Sequence, residues 1–99
     1  MGKSSLMNFN YRPLPNSITI GQSKLHGLGL IAIEVIPVGT NLGISHHVLN
    51  EELIRTPLGG FINHSDDPNC FIGKNFNLHT VRPIRKGEEL TVYYRLSQK

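Results

Sequence analysis

No stretch of this chain sustains a long apolar helical period, because ten glycines and six prolines interrupt its 99 residues. Punctuation that dense favours short strands joined by turns over a helical bundle. With 38% hydrophobic and 17% charged residues, the chain reads as one compact domain with room for one core and one site. The expectation is a mainly β fold of short strands with little helix. Residues 1–16, polar and carrying Pro13 and Pro15, read as an N-terminal arm, and residues 17–99 as the folded domain.

Within that domain, Ile18–Gln22 and residues 28–33 are β-prone runs flanking Lys24, Leu25, His26 and Gly27, which predicts a hairpin-like pair. Residues 36–39 read as a turn. Residues 46–56 offer the one helical candidate, since Leu49, Leu53 and Ile54 fall on a helical spacing and Pro57 would stop it. Residues 70–73 and 78–81 predict two more strands, with Asn75 and Asn77 supplying turn chemistry between them. Residues 83–88 make another turn. In the last strand, residues 89–94, alternation puts Leu90, Val92 and Tyr94 on one face and Thr91 and Tyr93 on the other.

A formal charge of +3 comes from ten Lys and Arg scattered along the chain with no block of like charge. Nucleic-acid binders concentrate their positive charge on one face, so this scatter reads as an ordinary solvated surface and disfavours a nucleic-acid partner. Cys70 is the single cysteine, which excludes an internal disulfide and a multi-cysteine zinc cluster and suits a reducing compartment. No run approaches the ~20 apolar residues of a membrane span, and the first ten residues lack the apolar core of a secretory signal. The expectation is an intracellular, soluble protein of cytoplasm or nucleus that does not engage a membrane.

Three segments stand out. Residues 23–32 place Gly27 and Gly29 two apart between strands, either for a tight turn with positive φ or to let backbone amides approach a ligand. Residues 60–70 run from Gly60, Phe61 and Ile62 into Asn63, His64, Ser65, Asp66, Asp67, Pro68, Asn69 and Cys70. That polar density suits an Asx-rich loop bonding its own backbone. His64, Asp66 and Asp67 are metal-ligand types, but their number and spacing fit neither a calcium loop nor a closed zinc site, so no metal is expected. Residues 87–94, from Gly87 through Glu88, Glu89, Leu90, Thr91, Val92 and Tyr93 to Tyr94, form a turn and a strand.

Taken together and in this order, the three segments resemble the cofactor-binding and catalytic signatures of the SET-domain protein lysine methyltransferases. Asn63, His64, Ser65, Pro68, Asn69 and Cys70 carry the most distinctive part, and the resemblance spans residues 17–95. It implies a SET-domain fold of the β-clip type, in which a C-terminal pseudoknot tucks the last strand against the Asn-His segment. It implies S-adenosylmethionine as cofactor, with the backbone of His26, Gly27, Leu28 and Gly29 at its methionine end and Asn63 and His64 at its adenosine part. Tyr94 matches the catalytic tyrosine of the methyl-transfer channel, whereas Glu89 and Leu90 match structural positions outside the site. The partner implied is a protein substrate presenting a target lysine.

The chain departs from the family in several respects. Larger relatives carry a long insert after the turn matched by Gly39 and Thr40, building one wall of the substrate groove; here residues 41–59 fill that gap. The strand that often supplies a tyrosine carries Asn41, Leu42, Gly43 and Ile44 instead, and the three further cysteines of a C-terminal zinc module are missing. Tyr93 stands where an aspartate is common, and Ile72 lies near a position that influences the number of methyls added. The short segment predicts apolar surface left uncovered around the lysine channel, hence a homodimer. It also keeps open the alternative of a non-catalytic SET-fold module that binds cofactor, protein or nucleic acid.

Overall fold

The computed structural model describes residues 14–94, and the expected N-terminal arm lies mostly outside them. Nine strands, one short helix and one 3-10 turn follow one another among the described residues: β1 Ile18–Gln22, β2 Leu28–Ala32, β3 Asn41–Ile44, β4 His46–Leu49, β5 Glu52–Arg55, α1 Pro57–Phe61, β6 Asn63–His64, β7 Cys70–Ile72, a 3-10 turn Lys74–Phe76, β8 Asn77–Thr80 and β9 Glu89–Val92. The fold is mainly β, as the glycine and proline punctuation predicts. Three small sheets share the work, ordered β1-β2-β9-β6, β3-β8-β7 and β4-β5.

The central event is the placement of β9. It runs antiparallel to β2, with Leu90 opposite Leu30, and parallel to β6, with Thr91 opposite Asn63 and Val92 opposite His64. The last strand is thus inserted between segments from both earlier parts of the chain. This is the crossing expected of the pseudoknot. Asn69, 2% exposed, completes it with its side chain: Nδ2 donates to the Glu89 carbonyl at 2.8 Å and Oδ1 accepts from the Thr91 N–H at 2.9 Å. A buried amide pays for its desolvation only through such bonds.

Around that strand Ile18, Leu30, Ala32, Ile36, Leu58, Ile62, Cys70, Leu78, Ile84, Leu90 and Val92 make one core. Fully burying an aliphatic side chain of this size contributes about 1.5–3 kcal/mol. The alternation in β9 holds for Leu90 and Val92. Thr91, on the other face, is buried as well, because its hydroxyl accepts from the Asn69 N–H.

The helix expected over residues 46–56 is absent. These residues form the β4-β5 hairpin, with Leu49 opposite Glu52 and His46 opposite Arg55. Leu49, Leu53 and Ile54 satisfy a helical spacing, but Asn50 and Glu51 both adopt positive φ, 51° and 68°, the geometry of a two-residue hairpin turn of type I′. Pro57 does not end a helix but opens one. Thr56 caps α1, accepting from the Gly59 N–H at 3.4 Å, and proline takes the first helical position, where no N–H is needed.

The turn yields a stability prediction. Glu51 holds a left-handed conformation that disfavours any side chain, so Glu51→Gly should stabilise the domain by about 1 kcal/mol. In a domain of this size that is a rise of roughly 4–8 °C in melting midpoint. Thermal unfolding followed by circular dichroism checks it; a lowered midpoint would mean that Glu51 makes a compensating contact.

Candidate functional site

The site begins at the turn between β1 and β2. Ser23 Oγ accepts from the N–H groups of Leu25 and His26 at 2.8 and 3.1 Å, and the Ser23 N–H closes the loop on the Gly27 carbonyl at 2.8 Å. Gly27 sits at φ 53°, in the left-handed region that glycine enters at no steric cost. Ser23 Oγ also reaches both carboxylate oxygens of Glu89 at 2.8 Å, so the turn is tied to the last strand. Gly29 has a different reason to lack a side chain. A Cβ there would overlap Glu89 Oε2 and crowd Asn63 Nδ2 at 3.1 Å.

Asn63 joins the same knot. Its Nδ2 lies 2.9 Å from Glu89 Oε2, 3.0 Å from the Leu28 carbonyl and 3.1 Å from the His26 carbonyl. Three acceptors surround an amide with two protons, which fixes the side chain and leaves its Oδ1 as an acceptor. His64 is fixed from both nitrogens. Nδ1 accepts from the Tyr94 N–H at 3.0 Å, which leaves Nε2 to donate to Asp66 Oδ1 at 3.1 Å. The His64 ring lies between two tyrosines, 4.8 Å from the Tyr93 ring and 6.4 Å from that of Tyr94.

Tyr94 is half-buried, and its hydroxyl donates to the Ile62 carbonyl at 3.2 Å with the Gly59 carbonyl at 3.4 Å. Burial pushes its pKa above the ordinary phenol value, against a smaller opposing pull from the Arg55 guanidinium. The phenol is therefore neutral at physiological pH.

Two clefts meet at this residue. One, of about 470 Å³, is lined by Leu25, His26, Arg55, Gly60, Ile62, Asn63, His64 and Tyr94. The other, of about 400 Å³, is walled by apolar groups, Leu53, Pro68, Phe71, Ile72 and Phe76, with His46, Cys70, Gly73, Tyr93 and Tyr94. Burial raises the Cys70 thiol pKa to about 12, so it remains a neutral wall group. Both volumes fall in the range of small-molecule sites, roughly 300–1,000 Å³.

The structure brings the sequence-predicted residues together unequally. His26, Asn63, His64 and Tyr94 line the first cleft, whereas Gly27, Leu28 and Gly29 shape it from behind: by a turn, by a carbonyl and by leaving room for Glu89. Glu89, set aside as structural, does not line the cleft but holds Asn63 and Ser23 in place. The sequence reading missed Arg55 and His46, which it had assigned to a helix; as facing residues of the β4-β5 hairpin they reach one cleft each. Tyr93 and Ile72, the positions of uncertain consequence in the sequence, both line the apolar cleft. Among the described residues no three His, Cys, Asp or Glu side chains come together as a metal site, and no helix is long and apolar enough to cross a membrane.

Comparison with known proteins agrees with this fold. The family model of the SET domain matches residues 45–95. A Plasmodium falciparum protein assigned as a histone methyltransferase has a similar structure, with a TM-score of 0.68 and 27% identity over 82% of this chain and 95% of its own. A humanized, inhibitor-bound mutant of the Chaetomium thermophilum Polycomb Repressive Complex 2 contains the same fold, with a TM-score of 0.61 and 20% identity over 82% of this chain and 16% of that one. No curated protein matches in sequence.

The Glu89 knot makes a prediction of its own. Gly29→Ala should evict the Glu89 carboxylate, loosen both the Ser23 turn and Asn63, and destabilise the domain by roughly 1 kcal/mol or more, the cost of losing half-buried hydrogen bonds to a charged group. Urea unfolding measures it. A midpoint equal to that of the parent would show that the carboxylate relocates without cost.

Proposed function

We propose that this chain, which belongs to the SET-domain family, transfers a methyl group from S-adenosylmethionine to a lysine side chain of a protein. The observation that carries the reading is that Tyr94 lines both clefts. A transferase must keep two reactants apart except at one point of contact, and Tyr94 stands at the junction of a polar cleft and an apolar one.

The residues present fit the cofactor. The polar cleft offers the Asn63 amide oxygen, the His64 ring and the main chain of the Ser23 turn, which suit a nucleoside and an amino-acid end, and its 470 Å³ is ample. When bound, the group supplies a methyl on a positively charged sulfur. Everything else falls to the chain. The apolar cleft accepts the aliphatic stem of a lysine and removes its head from bulk water, which disfavours the ammonium form, as does a nearby positive charge. The amine is thereby made neutral, although free lysine titrates near ~10.4. Tyr94 has committed its hydroxyl proton to the Ile62 carbonyl, so its oxygen is left to accept an N–H of the amine and turn the nitrogen lone pair toward the first cleft.

The same chain is proposed to form a homodimer. Val48, Leu49, Leu53 and Ile54 are exposed on a two-stranded hairpin that no other sheet covers. Apolar exposure at an unpaired sheet edge favours association with a second copy. Sedimentation velocity across a concentration series should show a dimer, and a monomer at high micromolar concentration would refute it.

Two substitutions separate catalysis from mere binding. Asn63→Ala, in a protein that remains folded, should weaken S-adenosylmethionine binding at least tenfold, about 1.4 kcal/mol; unchanged affinity by calorimetry places the cofactor elsewhere. Tyr94→Phe keeps the ring and should bind cofactor as the parent does while losing methyl transfer to protein substrates by about a hundredfold or more, in the range of a positioned catalytic group. A parent that binds cofactor but methylates no protein in lysates would instead identify a binding module.

A further inference from the structure

His46 is 6% exposed and stands at the start of β4, at the wall of the apolar cleft, yet the reaction described above gives it no task. Its ring is held by Ser45. Ser45 Oγ lies 2.9 Å from His46 Nδ1 and donates at 3.1 Å to the Phe76 carbonyl. A hydroxyl has one proton; in the arrangement that gives it to Phe76 the oxygen accepts from His46 and Nδ1 carries the ring hydrogen. Nε2 is then a bare lone pair. It has no hydrogen-bond partner among the described residues, and none of their side-chain nitrogens or oxygens is both buried and unpartnered, so Nε2 keeps some accessible surface on a ring that lines the cleft.

Gly59 links this imidazole to the tyrosine. A Cβ on Gly59 would come within 3.1 Å of His46 Cε1, and the Gly59 carbonyl lies 3.4 Å from the Tyr94 hydroxyl. The two rings therefore share one glycine as a neighbour, and both line the same, mostly apolar cleft.

Resting on the methyltransferase reading, we propose that His46 Nε2 is the second anchor of the target amine, accepting one N–H while Tyr94 accepts the other. Two such bonds use both hydrogens of a neutral primary amine and leave only its lone pair to meet the methyl donor. A secondary amine keeps one anchor and a tertiary amine keeps none. The cleft is thus built for the first methyl and grows less effective with each addition.

The anchor depends on a neutral ring. Burial, and then the Arg55 guanidinium opposite it in the hairpin, lower the His46 pKa. Of the other titratable groups lining the cleft, Tyr94 and Cys70 have raised values and stay uncharged, Tyr93 is a third, and α1 brings none. Protonation would place a cation where an ammonium or amine must enter. Amine binding should therefore persist through neutral pH and be lost below the ordinary histidine range.

The test uses the full chain with S-adenosylhomocysteine and n-butylamine as the probe of the cleft. Nitrogen-15 spectra should show His46 as the Nδ1–H tautomer, with Nε2 shifting on addition of butylamine and not of butyltrimethylammonium, which has no N–H. His46→Leu should weaken butylamine binding at least fivefold, and His46→Gln, whose amide oxygen can stand near the position of Nε2, should restore it to within about twofold and abolish the loss at acid pH. An Nε2–H tautomer, or an Nε2 resonance indifferent to butylamine while S-adenosylhomocysteine binds, overturns the anchor and leaves the methyltransferase reading standing. Failure of S-adenosylhomocysteine to bind removes that reading instead, whatever the amine does.

Discussion

The structure depends on the pairing of one strand along both of its edges. A strand in the centre of a small domain has its peptide groups cut off from water, and each must find a partner. Those of Glu89–Val92 find theirs in β2, in β6 and in the side-chain amide of Asn69. With the strand fixed in this way, Tyr94 can stand only where the strand leaves the sheet. The first cleft is bounded by what the strand holds together, the Ser23 turn on one side and the Asn-His segment on the other. The site is a by-product of strand order, and its accuracy is that of backbone hydrogen bonding.

The Glu89 carboxylate plays a comparable part for the polar side chains. It receives Ser23 and Asn63 and occupies the space that Gly29 leaves open. A glycine motif near a ligand is readily taken as a place where backbone meets cofactor. Here Gly29 makes room for another part of the protein, the Glu89 carboxylate that holds Ser23 and Asn63. Division of labour of this kind lets a small domain hold a site rigidly, since the groups that face the cleft are oriented by groups that do not.

Much of the fold was legible in the sequence because its signals are local. The bounds of β1 follow from a β-prone run, and the turn at Asn75 from a residue that tolerates positive φ, here 58°. The segment 46–56 was illegible for a physical reason. Leu49, Leu53 and Ile54 are compatible with either period, and the decision lies in the turn conformation of Asn50 and Glu51 and in Thr56 capping a helix that Pro57 begins. Reading Pro57 as a stop hid the hairpin, and with it Arg55 and His46. Through resemblance the sequence grouped His26, Asn63, His64 and Tyr94, which the structure places along one cleft. That Glu89 would be the hub joining them was not legible, because its partners Ser23 and Asn63 lie far from it in sequence.

Inserting the last described strand between two older ones has a consequence for biosynthesis. During translation β1 and β2 can pair as soon as they emerge, but the β2 edge that β9 will occupy stays open until residues 89–92 have left the ribosome. An open edge of that kind is a template for another chain. A transcript truncated before Glu89 would therefore yield an aggregation-prone product in place of a weak form of the protein.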